Sequence, residues 1–111
     1  MKTTLIFDLA DVLIEGFDSL VKALSTRLSL PATEVIPGVG GAPLVALTEG
    51  RISEATYWQC VLERTHWPIT MQELSAGLRR SFRRPMPGIP ELVLSLHRHR
   101  LVLFSDQARE W

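Results

Sequence analysis

Two hydrophobic rhythms run along the chain. Thr3-Thr4-Leu5-Ile6-Phe7 is β-branched and aromatic with no strongly polar break, which predicts a short buried β-strand. Leu101-Val102-Leu103-Phe104 repeats that pattern near the end and predicts a second buried strand. Between them the spacing is helical. Phe17, Leu20, Val21, Leu24 and Leu28 place an amphipathic helix over about 17–29. Ala55, Trp58, Val61 and Leu62 mark another, opened by Ser53 as N-cap with Glu54 in the first turn. Met71, Leu74, Leu78 and Phe82 mark a third, behind a Thr70–Glu73 pair at capping-box spacing. Pro31 opens a short segment, Pro37-Gly38-Val39-Gly40-Gly41 predicts a mobile loop, and Leu44–Leu47 a brief helical turn that Gly50 stops. Pro85-Met86-Pro87-Gly88 marks a boundary, and Pro90 suits the first turn of a helix through Leu92, Val93 and Leu96.

The order is therefore strand, helical insert, helix, strand, an α/β arrangement. Two apolar strands joined through a helix imply a parallel pair with both strand ends on one edge. That order brings Asp8 and Ser105 together across nearly the whole chain. The insert helices are expected to pack antiparallel as a small bundle.

Composition adds limits. At 111 residues there is room for one small domain or a fragment of a larger one. An apolar share of 46% with 22% charged residues excludes a disordered chain. Zero net charge argues against nucleic acid or an anionic membrane as the main partner. The early acids Asp8, Asp11, Glu15, Asp18, Glu34 and Glu49 outnumber Lys2, Lys22 and Arg27. Arg79, Arg80, Arg83 and Arg84, and then His97-Arg98-His99-Arg100, read as a solvated helix end and loop. Cys60 is alone, so neither a disulfide framework nor a cysteine-rich zinc site is available. Met1-Lys2 leads straight into the strand without a signal peptide, and no apolar run approaches the roughly 20 residues of a membrane span. A soluble, cytoplasmic protein is expected.

A carboxylate at the C-terminal end of an apolar strand sits where open α/β sheets bind ligands. Asp8 in that place suits a covalent nucleophile, or else a cap of the following turn. Ser105-Asp106 also reads as an ordinary strand-to-helix cap. Asp11 reads as a turn or helix-start residue. Tyr57, Trp58 and Trp67 fit a helical core better than a pocket. His66, His97 and His99 have no metal-ligand spacing with Cys60 or a carboxylate pair, and Cys60 reads as packing.

Leu5-Ile6-Phe7-Asp8-Leu9-Ala10-Asp11-Val12-Leu13 resembles the first motif of the haloacid dehalogenase-like (HAD) hydrolases. Val102-Leu103-Phe104-Ser105-Asp106 resembles their second, and Glu49-Gly50-Arg51-Ile52-Ser53 a segment of the helical cap in their phosphatase-like branch. The resemblance covers the whole chain. It implies an incomplete Rossmann-like core with an inserted α-helical cap: core over 1–15, cap over 16–84, core again over 85–111. It also implies Asp8 as the nucleophile toward a small phosphorylated metabolite, through an aspartyl-phosphate. Mg²⁺ would bind the Asp8 carboxylate and the Ala10 carbonyl. Phosphate would be held by the backbone at Leu9 and Ala10, by the Ser105 hydroxyl and by the Asp106 N–H.

Two departures from the family pattern matter. Ala10 stands where these phosphatases usually carry a second Asp as general acid/base, and it cannot move a proton. Family members also continue to a Lys and an acidic motif, whereas this chain stops at Trp111. On that reading the chain is truncated and close to inactive by itself, and its first strand has an open edge suited to self-association. The alternatives are a metal-independent haloacid dehalogenase, whose strand-end Asp needs no second Asp, and a non-catalytic fragment or binding module.

Overall fold

The computed structural model describes residues 2–105 together with 108 and 111. Its elements run β1 (Thr4–Phe7), α1 (Phe17–Leu28), α2 (Ala32–Val39), α3 (Ala42–Thr48), α4 (Glu54–Thr65), α5 (Met71–Phe82), α6 (Ile89–Ser95) and β2 (Arg100–Leu103). β1 and β2 pair in parallel, with Thr4 opposite Arg100 and Phe7 opposite Leu103. This is an α/β fold with a two-stranded parallel sheet and a large helical insert, as the element order requires.

The helices form where capping and periodicity agree. Ser53 Oγ accepts from the Thr56 N–H at 3.1 Å, and Thr70 Oγ1 from the Glu73 N–H at 3.1 Å, each satisfying a donor the first helical turn leaves over. Their apolar stripes meet at the centre of the insert. Tyr57, Trp58, Val61, Leu74 and Leu78 are sealed from solvent there, together with Leu20, Leu24, Val35 and Leu47. Tyr57 and Trp58 are thus core, their rings tilted against each other at 4.6 Å.

The Pro37–Gly41 segment departs from the expected loop: α2 continues through Val39. A proline in a helix normally removes a hydrogen bond and crowds the preceding turn. Here tertiary contacts outweigh that local cost. Val35 and Val39 are buried. Trp67 packs so closely on Gly38 that a Cβ there would lie 2.5 Å from the ring. Arg64 donates to the Gly38 and Gly40 carbonyls, and the Tyr57 hydroxyl donates to Val39 O, so the helix end is held from α4.

The strands differ from expectation in burial. Both were expected to be buried, yet Ile6 is 70% and Phe104 75% exposed, and every residue of β2 is exposed. Parallel strands are ordinarily covered on both faces. These have each other as partners, and α6 buries none of its residues. The Cα radius of gyration, 16.0 Å, exceeds the roughly 13 Å of a compact domain this size, because the strand lobe stands off from the bundle.

Candidate active site

The sheet places Asp8 and Ser105 at the same end. The last rung of the ladder is Phe104 N–H to Phe7 O, 2.8 Å. Asp8 follows one residue after Phe7, and Ser105 one residue after Phe104. Asp8 is exposed and Ser105 half-buried. Asp106 lies outside the described residues. The Asp8 carboxylate accepts from the Leu9 N–H at 2.8 Å, so that amide turns back onto its neighbour.

After Asp8 the chain makes a tight loop. Leu9 O accepts from the N–H groups of Val12, Leu13 and Ile14 at 3.3, 2.9 and 3.1 Å. Asp11 takes a left-handed conformation, φ 60°, which Asp tolerates better than most residues. Its carboxylate then reaches forward: Oδ1 accepts from the Gly16 N–H at 3.0 Å and Oδ2 from the Asp18 N–H at 3.4 Å. Gly16 is the N-cap of α1 and has no side chain to cap with, so Asp11 does that work from five residues upstream. Asp11 is therefore the turn and helix-start residue that its place suggested. Ala10 packs against the same corner, where a Cβ on Gly16 would lie 2.9 Å from the Ala10 Cβ.

The segment that leaves the insert returns beside this loop. Glu15 N–H donates to Arg84 O at 2.8 Å, Met86 N–H to Leu13 O at 2.9 Å, and Ile14 bridges Pro85 antiparallel. The two passages between bundle and strand lobe are thus tied together at residues 13–15 and 84–86. Beside them a cavity of about 300 Å³ is lined by Asp11, Glu15, Asp18, Lys22, Met86 and Pro87.

For a metal ion the donor set is thin. Among the described residues no three His, Cys, Asp or Glu side chains cluster closely enough to hold one. Asp8 and the Ala10 carbonyl do not by themselves form the oxygen shell that Mg²⁺ requires.

A second polar constellation lies in the insert and has no counterpart in the sequence reading. Glu54 is 6% exposed, yet hydrogen-bond donors surround it. Arg79 grips it bidentately at 2.6 and 2.8 Å, Ser75 Oγ donates at 2.8 Å and Trp58 Nε1 at 3.1 Å. Burial pushes the Glu54 carboxyl up, but the hydrogen bonds from Arg79, Ser75 and Trp58 outweigh it and hold the group below its ordinary value. Arg79 is therefore turned inward rather than belonging to a solvated basic helix end. The signal was present: Glu54 and Trp58 are four apart, as are Ser75 and Arg79, and both pairs lie beside apolar stripes. A groove of about 460 Å³ between α4 and α5 runs past this network, lined also by Ala55, Met71 and Gln72.

No family model and no curated protein matches the chain. Solved structures do. A HAD family enzyme from Bacteroides thetaiotaomicron, in complex with magnesium and inorganic phosphate, superposes with a TM-score of 0.63 at 16% identity. The fold is HAD-like. The HAD-type protein YfnB of Bacillus subtilis, bound to magnesium, gives a TM-score of 0.58 at 15% identity. Each match covers 98% of this chain but only 55% and 56% of the other, so the chain spans just over half the length of these HAD-like structures. Among the described residues no helix is long and apolar enough to cross a membrane.

Proposed function

We propose that these residues belong to a HAD-like hydrolase, a Mg²⁺-dependent phosphatase of a small phosphorylated metabolite, with Asp8 as its nucleophile. The observation that carries the reading is the register of β1 on β2: a strand-end carboxylate and a strand-end hydroxyl follow the two strands at the same C-terminal edge of a parallel pair. The magnesium and phosphate of the Bacteroides structure agree with that reading. Asp8 attacks phosphorus, the bond to the leaving oxygen breaks, and water then opens the aspartyl-phosphate. Ser105, with the backbone at Leu9, Ala10 and Asp106, holds the phosphoryl oxygens. Ala10 offers no proton, so the leaving oxygen takes one from solvent. Residues 1–15 and 85–111 form the catalytic core in this reading, and 16–84 form the cap that selects the substrate in the cytoplasm.

The metal requirement belongs to the complete site. The donors among the described residues fall short of a Mg²⁺ shell. A second reading, a metal-independent haloacid dehalogenase, draws its support from Ala10, because that chemistry has no use for the missing acid.

The test is hydrolysis of a generic aryl phosphate, with and without Mg²⁺, by the longest product of the reading frame containing these residues. Mg²⁺-dependent release of phosphate, lost by about a thousandfold or more in Asp8→Asn, supports the phosphatase. Halide release from a 2-haloacid without metal transfers the site to the second reading. Turnover unaffected by Asp8→Asn removes Asp8 from the chemistry.

A further inference from the structure

The Asp8 carboxylate accepts from the N–H of its own neighbour, Leu9, so the loop behind it decides where it stands. That loop closes on itself and on α1. Leu9 O gathers the Val12, Leu13 and Ile14 N–H groups, and the Asp11 N–H donates to Ile14 O at 2.7 Å. From within the turn the Asp11 carboxylate spans the start of α1, with Oδ1 on the Gly16 N–H and Oδ2 on the Asp18 N–H. A helix leaves its first N–H groups without partners, and an oxygen on the N-cap side chain ordinarily takes one of them. Gly16 has no such oxygen. It has no room for one either: a Cβ there would lie 2.9 Å from the Ala10 Cβ and 3.2 Å from Asp11 Oδ2. Both side chains that fill this corner belong to the loop that follows Asp8.

We propose that Asp11 is a positioning residue for Asp8: by capping α1 from the turn behind the strand end, its carboxylate fixes that turn to the insert. The proposal rests on Asp8 as nucleophile. The carboxylate, and not the backbone alone, is the effective part. At φ 60° Gly and Asn are as well accommodated as Asp, so the conformation by itself calls for no acid. The two oxygens take different N–H groups, which holds the side chain in one orientation. Nucleophilic attack needs reacting atoms at about 3–3.5 Å and aligned, and a misplacement of about 1 Å can cost about a hundredfold. A bond that fixes the loop therefore registers in turnover without touching the substrate.

The test compares Asp11→Gly, Asp11→Asn and Thr70→Ala in the longest product of the reading frame, with an aryl phosphate and Mg²⁺, at a temperature where melting curves show every variant folded. Asp11→Gly removes the carboxylate while accepting the left-handed backbone, and its kcat falls about tenfold or more. Asp11→Asn keeps an oxygen acceptor and stays within about threefold of the unmodified protein. Thr70→Ala removes a side-chain cap of the same kind from α5, so it lowers the melting temperature and leaves kcat unchanged. Amide exchange reads the loop without reference to activity: Val12, Leu13 and Ile14 exchange about tenfold faster in Asp11→Gly and at the unmodified rate in Thr70→Ala. An unchanged kcat or unchanged exchange in Asp11→Gly overturns the proposal, as does a kcat for Thr70→Ala that falls equally far. Turnover that survives Asp8→Asn overturns it together with the reading it rests on. Turnover lost in Asp8→Asn but kept in Asp11→Gly overturns the role of Asp11 alone.

Discussion

Trp58 and Phe104 are both large aromatic residues in apolar runs, yet Trp58 is sealed while Phe104 is 75% exposed. Trp58 sits on α4, which packs against α2, α3 and α5, so its ring is enclosed from several sides. Phe104 follows β2, whose main packing partner among the described residues is β1. The same local pattern thus yields a core in the bundle and a bare surface in the strand lobe. Apolar sequence creates the demand for burial, and only neighbouring elements meet it.

Substitutions break or sharpen that contrast. Trp58→Ala removes the largest buried side chain and the Nε1 donor to Glu54, and should cost about 3–5 kcal/mol in chemical denaturation. A small effect would mean that the bundle is as loosely covered as the strands. Arg79→Leu comes next, at about 2–3 kcal/mol, since it strands a buried carboxylate while Arg79 itself is 39% exposed. Adding Glu54→Gln should return much of that loss, a coupling readable as a double-mutant cycle.

The same pair sets an acid dependence. The Glu54 carboxyl is held below its ordinary 4.5, so its contribution is complete above that pH and fades as pH falls through the lower folded value. Thermal melts from pH 6 downward should show this fall in the unmodified chain, and a shallower one in Glu54→Gln.

Asp11→Ala acts at the junction of the two regions. It removes the acceptor for Gly16 and Asp18 N–H at a left-handed position, and about 1–2 kcal/mol should be lost. Asp11→Asn keeps an acceptor and tolerates that backbone, so it should lose less than half as much. Phe104→Ser should have the smallest effect, within about 0.5 kcal/mol in the dilute monomer. A loss above about 1.5 kcal/mol that grows with protein concentration would show that association covers the strand lobe.

Much of the fold was legible in local patterns. Ser53 and Thr70 announce their helices because a hydroxyl before an apolar stripe satisfies an orphaned N–H wherever the helix later packs. The parallel pairing of β1 with β2 follows from the strand–helix–strand order, and it carries Asp8 and Ser105 to one edge. Pro37-Gly38 was misread because the residues that rescue α2, Arg64 and Trp67, lie more than twenty-five residues away, or on the far side of α4. Arg79 was misread for the same reason: its partner, Glu54, belongs to another helix.

The sequence by itself determined most of the elements, their order and the strand-end position of Asp8, since capping, periodicity and chain direction act over a few residues. Only the tertiary structure decided which apolar residues are buried, that Asp11 caps α1 and that Glu54 is a buried anion. Those outcomes depend on which surfaces meet, and contact between distant segments is not written in any local pattern.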